Sequence, residues 1–492
     1  MSTTAATGFC RVTVVAPDSR IDVALPEDIA VADVYPEILR LTGQTQAAGA
    51  PTGYHLVRRD GTVLDGARSL AAQRVFDGDV LSLRPFAESL PPAVFDDVSD
   101  AVASAVVRDR HLWSDDLLRG AGLVGGVLLL VLMGFVLWFA DPVRHDMHSL
   151  PGIIAGAAGV LLTAFAGVRA RVYADRGTAV ALGLGALPLL LIAGSGIIGP
   201  DAGHGPGRLQ FLLGCVTVLI ASVALVALTP SGDAPFVAAT FLAVTGTAAT
   251  FLAIMTEWSA TGTAAVVVPV AIGLVAFLPG LSARFARLPI GYAAPRSAAD
   301  EFEGDGYTDP DELPEAEPVD AERIAAQARR GHEMLLGLVG GCAAVVVGCA
   351  AVLGFSSNVW GQFLALAAGL AMLLRARLFR YTSQVACALV AGIAAIALLV
   401  LGLSLNPPVD LMKDFLMYGD RGGLDIRTIW LTAAVAAGAA LITAIGLVIP
   451  KKGLSPFWGR LLDIAEGAVL LSLVPLCLAV LDVYNAARSL TS

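Results

Sequence analysis

The residues that could carry chemistry are few and scattered along the chain. His145 and His148 lie close together in one polar segment, with Asp141 and Asp146 beside them. A zinc site needs three or four His, Cys or carboxylate ligands at suitable spacing, and no Cys stands near these histidines. We interpret both as isolated residues at a membrane boundary. The sequence therefore predicts no metal site and no other cofactor.

Motifs of the common catalytic mechanisms are absent from the sequence. It has no Gly-rich loop ending in Gly-Lys-Ser/Thr for nucleotide phosphates, and neither HExxH nor GxSxG. No CxxC pair occurs either, and most of the cysteines fall in apolar stretches, which is typical of small buried hydrophobes. The cysteines are Cys10, Cys215, Cys342, Cys349, Cys387 and Cys477. We therefore expect a protein that is not an enzyme.

One cluster of charge could bind a partner. Residues 300–322 are rich in Asp, Glu and Pro and cannot bury an apolar core, so this segment is expected to be extended or disordered by itself. The candidate contacts for a basic partner surface are Asp309, Asp311, Glu312, Glu315 and Glu317. Two interpretations stay open: a solvated tether, or a segment that becomes ordered on a partner.

Apolar stretches dominate the rest of the chain. Hydrophobic residues make up 56% of the sequence and charged residues 15%, with a mean hydropathy of +0.74. A bilayer core about 30 Å thick needs about 20 apolar residues per helical span. The pattern predicts an α-helical polytopic membrane protein with about eleven transmembrane helices. They are expected at 120–140, 150–168, 178–198, 209–229, 235–255, 261–281, 334–355, 358–374, 382–405, 427–449 and 460–484.

The distribution of Lys and Arg orients these spans. If residue 1 is cytosolic, most basic residues flank the cytosolic ends of the spans, as the positive-inside rule requires. With an odd number of spans the C-terminus is then periplasmic. The start, MSTTAATGFCRV, has neither a basic n-region nor an apolar h-region, so no cleavable signal peptide is expected.

The N-terminal segment predicts a ubiquitin-like β-grasp (α+β) domain. In residues 9–14 and 21–25 apolar and polar side chains alternate, as they do in β-strands. A helix follows, which Asp33 could cap and Gly43 could end. A third strand comes next, and the turn Asp77-Gly78-Asp79 precedes the last one. No Gly-Gly tail follows, so the segment suits protein docking better than conjugation; an unrelated small α+β domain stays an alternative.

The chain thus divides into six segments. We expect a ubiquitin-like cytosolic domain, a cytosolic linker helix, spans one to six, an acidic cytosolic loop, spans seven to eleven and an external tail. Their boundaries are 1–86, 87–119, 120–281, 282–333, 334–484 and 485–492.

Small residues recur four positions apart on several spans. Such pairs permit close contact between helices in a membrane. The candidate helix-packing pairs are Gly122 and Gly126, Gly152 and Gly156, Gly337 and Gly341, and Ala434 and Gly438. Together they favour a tightly packed scaffold or a homodimer.

A solute permease with a regulatory β-grasp domain is the alternative function. Transporters of that kind carry ionisable residues near the middle of the bilayer, and many have two related halves. Here Glu257, Asp463, Glu466 and Asp482 lie toward the ends of spans, and no duplicated half is visible. The sequence therefore favours a non-catalytic structural subunit.

These segments together resemble EccD, the multi-spanning membrane component of mycobacterial type VII (ESX) secretion systems. The resemblance rests on the β-grasp segment, the linker helix, the eleven spans and the acidic loop between spans six and seven, and covers essentially the whole chain. It implies a structural subunit of an inner-membrane secretion complex, with EccB, EccC (the ATPase) and EccE as partners. It also implies a homodimer around a lipid-accommodating cavity, within a larger hexameric assembly. No nucleic acid partner is expected.

Overall fold

The computed structural model describes residues 8–16, 19–43, 54–85, 114–201, 204–229, 233–287, 321–452 and 455–489. The chain divides into two compact units, Met1–Leu112 and Trp113–Ser492. The amphipathic part of the predicted linker helix and all five acidic candidate contacts of the loop lie outside the described residues.

The first unit contains a four-stranded sheet and one helix. The strand order is β2-β1-β4-β3; β1 and β4 pair in parallel, and the other neighbours are antiparallel. The elements are β1 (Phe9–Val15), β2 (Arg20–Pro26), α1 (Val31–Leu41), β3 (Tyr54–Arg58) and β4 (Val80–Pro85). A parallel central pair joined through a helix is the predicted β-grasp arrangement.

Alternation along the strands builds the core of this unit. Val12 and Val14 of β1 point inward and are fully buried, as are Leu56 of β3 and Leu81 of β4. Ile38 of α1 packs into the same cluster, so the helix covers this face of the sheet. The apolar period of two in the sequence is therefore the feature that specifies this fold.

The start of α1 differs from the prediction. Ala30 occupies the N-cap without a side-chain hydrogen bond. Asp33 lies in the first helical turn, where its negative charge interacts favourably with the positive end of the helix dipole. The prediction that Asp33 caps the helix was wrong, because Ala30 forms a β-bridge with Ser69 and the helix begins directly after it. Gly43 follows the end of α1 in a left-handed conformation, with φ of +68°.

The second unit is helical. Within the described residues, 11 helices are long and apolar enough to cross a membrane, which confirms the predicted number. The spanning helices are α2 (Asp115–Trp138), α3 (Leu150–Arg171), α4 (Arg176–Ser195), α5 (Arg208–Leu228), α6 (Ala234–Thr256), α7 (Ala260–Leu274) with its extension α8 (Leu278–Phe285), α9 (Ala321–Gly354), α10 (Val359–Arg375), α11 (Thr382–Leu405), α13 (Gly422–Lys452) and α14 (Pro456–Val480). Two short helices, α12 (Val409–Tyr418) and α15 (Val483–Ser489), follow α11 and α14.

Helix α9 is the centre of the packing. It contacts α6, α7, α8, α10 and α11. Helices α3, α4, α5 and α6 pack against one another in chain order. The largest apolar cluster lies around α9 and includes Val339 and Val346 with Ile272, Leu364 and Met372. The two groups of spans on either side of residues 288–320 therefore share one core.

Helix α13 stands apart from this core. None of the described residues in its most apolar 18-residue stretch is buried. Trp430, for example, is 72% exposed within the protomer. Near its N-terminal end Arg427 donates to the carbonyl of Leu403 on α11. The face of α13 is thus left for lipid or for another chain.

Candidate functional site

Two of the predicted small residues hold α9 against α6. A Cβ atom at Gly337 would lie 2.6 Å from the carbonyl oxygen of Ala234, and one at Gly341 would lie 2.8 Å from that of Ala238. Real Cβ atoms do not approach an oxygen so closely, so only glycine fits at both places. This pair joins the two groups of spans.

The second pair is split between two environments. A Cβ at Gly152 would collide with the carbonyl oxygen of Met147 in the preceding connection, so this glycine serves a turn. A Cβ at Gly156 would lie 3.4 Å from the Cβ of Ala193 on α4, which is an ordinary contact between helices. The role of this pair in helix packing stays a prediction; of the two glycines, Gly156 is the one that faces a neighbouring helix.

The other two pairs have no neighbour among the described residues. No described atom lies within 4 Å of a Cβ built at Gly122 or Gly126 on α2, or at Gly438 on α13. Ala434 is exposed. These two helices therefore present small-residue surfaces that no described residue covers.

The sequence reasoning missed other glycines that pack helices closely. A Cβ at Gly369 of α10 would lie 3.1 Å from the carbonyl oxygen of Gly392 on α11, and the reverse distance is 2.8 Å. A Cβ at Gly402 of α11 would collide with the carbonyl oxygen of Gly354 on α9, and one at Gly354 would lie 2.9 Å from the Cα of Leu399 on α11. Each helix supplies one glycine, so a motif search along one helix cannot find them. The signal would be glycines at equal depth on neighbouring spans.

A cluster of charges lies where α2 and α4 begin and α3 ends. Nη2 of Arg119 is 2.5 Å and Nη2 of Arg169 is 3.3 Å from the carboxylate of Asp175. Hydrogen bonds from Thr178, together with these arginines, hold the pKa of Asp175 below its usual value. Arg176 pairs with Glu333 of α9 at 2.8 Å.

A buried carboxylate lies at the neighbouring connection. Asp233 precedes α6 and is 0% exposed, and its oxygen is 3.4 Å from a guanidinium nitrogen of Arg330 on α9. Burial raises the pKa of Asp233, Arg330 opposes that effect, and the negative charge of Glu333 adds to it. Sequence reasoning gave Asp233 no role, because its partner is far away along the chain.

Another ion-pair group ties α10 to α14. Arg377 follows α10 and lies 2.9 Å from Asp463 and 3.2 Å from Glu466. Arg375 approaches Glu466 at 3.8 Å. The sequence placed both carboxylates at the start of the last span, where the helix dipole favours them, and the structure adds these arginine partners.

The two histidines bind backbone carbonyls. Nδ1 of His145 is 2.8 Å from the oxygen of Trp138, and Nδ1 of His148 is 2.8 Å from that of Gly196. The imidazole of His145 also stacks on the indole of Trp138. Within the described ranges, no group of three or more His, Cys, Asp or Glu residues could hold a metal ion.

Comparison with known proteins gives this architecture a family. Residues 118–490 match the family model of the EccD-like transmembrane domain. The chain belongs to the EccD family. Residues 9–83 match the model of YukD, a protein of the WXG100 protein secretion system, which agrees with the ubiquitin-like fold of the first unit. The resemblance inferred from the sequence is confirmed, and the chain is a multi-pass inner-membrane protein.

One relative and two solved structures extend the match over most of the chain. The ESX-4 secretion system protein eccD4 of Mycobacterium tuberculosis is 27% identical over 497 residues, covering 98% of each chain. Protomer 1 of the ESX-3 core complex matches with a TM-score of 0.58 at 19% identity, covering 97% of this chain and 100% of that one. The MycP5-free ESX-5 inner membrane complex, State II, matches with a TM-score of 0.51 at 22% identity, covering 88% and 99%. Both structures share the fold.

Proposed function

We propose that the chain is a non-catalytic structural subunit of a type VII (ESX) secretion complex, which forms a dimeric helical scaffold and docks cytosolic partners. The observation that carries the proposal is the coincidence of two family matches on one chain, EccD-like over 118–490 and YukD over 9–83. The proposal keeps the predicted topology, with a cytosolic N-terminus and a periplasmic C-terminus, and the predicted segment boundaries.

Unused helix surfaces support the dimer. Of the pairs on α2 and α13, Gly122, Gly126 and Ala434 are exposed, and no described atom lies within 4 Å of a Cβ built at Gly122, Gly126 or Gly438. Gly337 and Gly341, in contrast, contact α6 within the protomer. Small residues drive helix association in lipid because backbones can approach closely. A second copy of this chain, packed along α13, α2 or both, would cover these surfaces.

The cytosolic parts supply the docking surfaces. Phe9 and Phe76 of the ubiquitin-like unit are 62% and 66% exposed, which is high for aromatic side chains in a small domain. The acidic candidates of the loop suit a basic partner face; they are Asp309, Asp311, Glu312, Glu315 and Glu317. EccC, the ATPase, and the membrane subunits EccB and EccE are the partners that we propose.

Co-purification with the ATPase subunit tests the docking proposal. Each exposed ion pair is worth only about 0.2–1 kcal/mol, so single charge reversals in the loop should have little effect. Five reversals together should weaken assembly, most strongly at low salt, where the charges are least screened. A matched control reverses Asp410, Asp414 and Asp425, which lie near the opposite membrane boundary. If the five-fold variant assembles like wild type at low and high salt, the loop is a tether.

A further inference from the structure

Three arginines surround a cavity at one membrane boundary. Arg119 of α2, Arg169 of α3 and Arg176 of α4 line a space of about 540 Å³ together with Tyr173 and Asp175. Two helices begin and one ends at this boundary, so the cavity lies at the level where a bilayer changes from hydrocarbon to headgroups. A ligand there would meet both polar and apolar surroundings.

The cavity has more positive charge than its carboxylate neutralises. Arg119 and Arg169 share the single carboxylate of Asp175, at 2.5 and 3.3 Å. The lowered pKa of Asp175 keeps it ionised at neutral pH. Arg176 is balanced separately by Glu333. Among the described residues no second carboxylate lies within 4 Å of Arg119 or Arg169, so within this part of the chain the pair retains one positive charge.

The arginines also have donors to spare. The side chains of Arg119 and Arg169 are 59% and 41% exposed. A guanidinium has five N–H donors in a planar fork, and a shared carboxylate cannot accept all of those from two arginines. The guanidinium of Arg169 lies 5.3 Å from the ring centre of Tyr173, a cation–π contact that orients it. Arginine forks of this kind match the oxygens of a phosphate group.

Exposed apolar residues also occur on or directly after the helices that line the cavity. Leu118 and Val124 of α2 are 58% and 61% exposed, and Val172 beside the cavity is 71% exposed. A free anion would use only the arginines, whereas a phospholipid would place its phosphate in the cavity and its acyl chains along these residues. Basic pockets between transmembrane helices bind anionic lipid headgroups in this manner.

We propose that Arg119 and Arg169 bind the phosphate of an anionic phospholipid at this boundary. The site is formed by one protomer and does not depend on the secretion function or on the orientation of the chain. The bound lipid would fasten the ends of α2, α3 and α4 to one another.

Native mass spectrometry of the full chain, titrated with phosphatidylglycerol or with phosphatidylcholine, tests the proposal. We expect wild type to retain phosphatidylglycerol at lower concentration than phosphatidylcholine. The double variant Arg119→Gln/Arg169→Gln should lose phosphatidylglycerol affinity by about tenfold or more, given the attraction of each basic residue near an anionic surface. The matched control Arg144→Gln/Arg421→Gln, near the opposite boundary, should bind like wild type.

A second variant, which is expected to increase the affinity for lipid, distinguishes loss of the site from misfolding. Asp175→Asn removes the neutralising charge, and asparagine caps a helix as well as aspartate does. It should therefore bind phosphatidylglycerol more tightly than wild type. Equal retention of both lipids, or weaker binding by Asp175→Asn, overturns the proposal. Displacement of phosphatidylglycerol by millimolar inorganic phosphate would assign the site to a free anion and likewise overturn it.

Discussion

The carboxylate of Asp233 lies 3.4 Å from a guanidinium nitrogen of Arg330, although the fifth and sixth spans and residues 288–320 separate them along the chain. Asp233 is completely buried just before α6, and Arg330 is in the first turns of α9. Next to this ion pair, Gly337 and Gly341 bring the two backbones together. Polar and steric contacts therefore fix one helix crossing.

Neutralising Asp233 should stabilise the chain near neutral pH. Burial raises the pKa of this carboxyl in the folded state, so folding costs free energy once pH exceeds its ordinary value near 3.8. The contribution of this carboxyl group to folding stability is fully present below its ordinary pKa. It is lost as the pH rises through the raised pKa of the folded state. Asp233→Asn should therefore be more stable than wild type at pH 7 and show a flatter pH profile. Thermal unfolding in detergent across pH 4–8 measures both; a less stable Asn variant at pH 7 would contradict the assignment.

Enlarging the crossing glycines should separate α6 from α9. Gly341→Leu would drive its side chain into the backbone of Ala238, and overpacking of this kind costs about 1–3 kcal/mol. Gly348→Leu on the same helix is the matched control, because no described atom lies within 4 Å of that position. We expect a lowered unfolding temperature for the first variant alone. Similar values for both would show that the crossing is looser than described.

The small-residue surface of α13 should govern association between copies. Gly438→Leu meets nothing within 4 Å among the described residues, so the fold of the protomer should be unchanged. If α13 packs against a second copy, the dimer should weaken by about tenfold or more, since a leucine holds two backbones apart. The mass of the protein in lipid nanodiscs measures this, with Gly273→Leu on α7 as the control. A dimer of undiminished affinity would place the interface elsewhere.

Truncating the core of the ubiquitin-like unit should unfold that unit selectively. Leu56 is fully buried between the sheet and α1, and replacing a buried leucine by alanine costs about 2–5 kcal/mol. Val63→Ala is the control, because Val63 is 54% exposed. Hydrogen exchange of the strand amides in the full chain should accelerate in Leu56→Ala only. Unchanged exchange would mean that other contacts maintain the sheet.

The sequence predicts features that depend on one segment at a time. Eleven spans follow from apolar length alone, and the sheet follows from alternation and from the turn at Gly78, whose φ is +89°. Asp33 shows the limit of such local rules: its residue type suits a helix cap, but the bridge from Ala30 to Ser69 starts the helix earlier. Helix α12 likewise lies in a segment for which the sequence predicts only an external connection.

Features that need two distant segments were beyond sequence reasoning. The pairing of Asp233 with Arg330, and of Gly369 with Gly392, depends on which helices are neighbours, and neither partner has a distinctive local pattern. The motif at Gly122 and Gly126 illustrates the converse, because it fits the helix-packing pattern and has no described neighbour. For the candidate sites, residue types were therefore visible in the sequence and partners were not.

The central position of α9 has a consequence for biosynthesis. Helices α6, α7 and α8 pack against α9, which the ribosome completes only after residues 288–320 have been made. During that interval six spans are already translated, while the surface of α6 that will contact Gly337 and Gly341 still faces the bilayer. Insertion of the seventh span therefore closes the first half of the protein, and a chain cleaved between residues 288 and 320 would retain complementary surfaces through which its two fragments could reassemble.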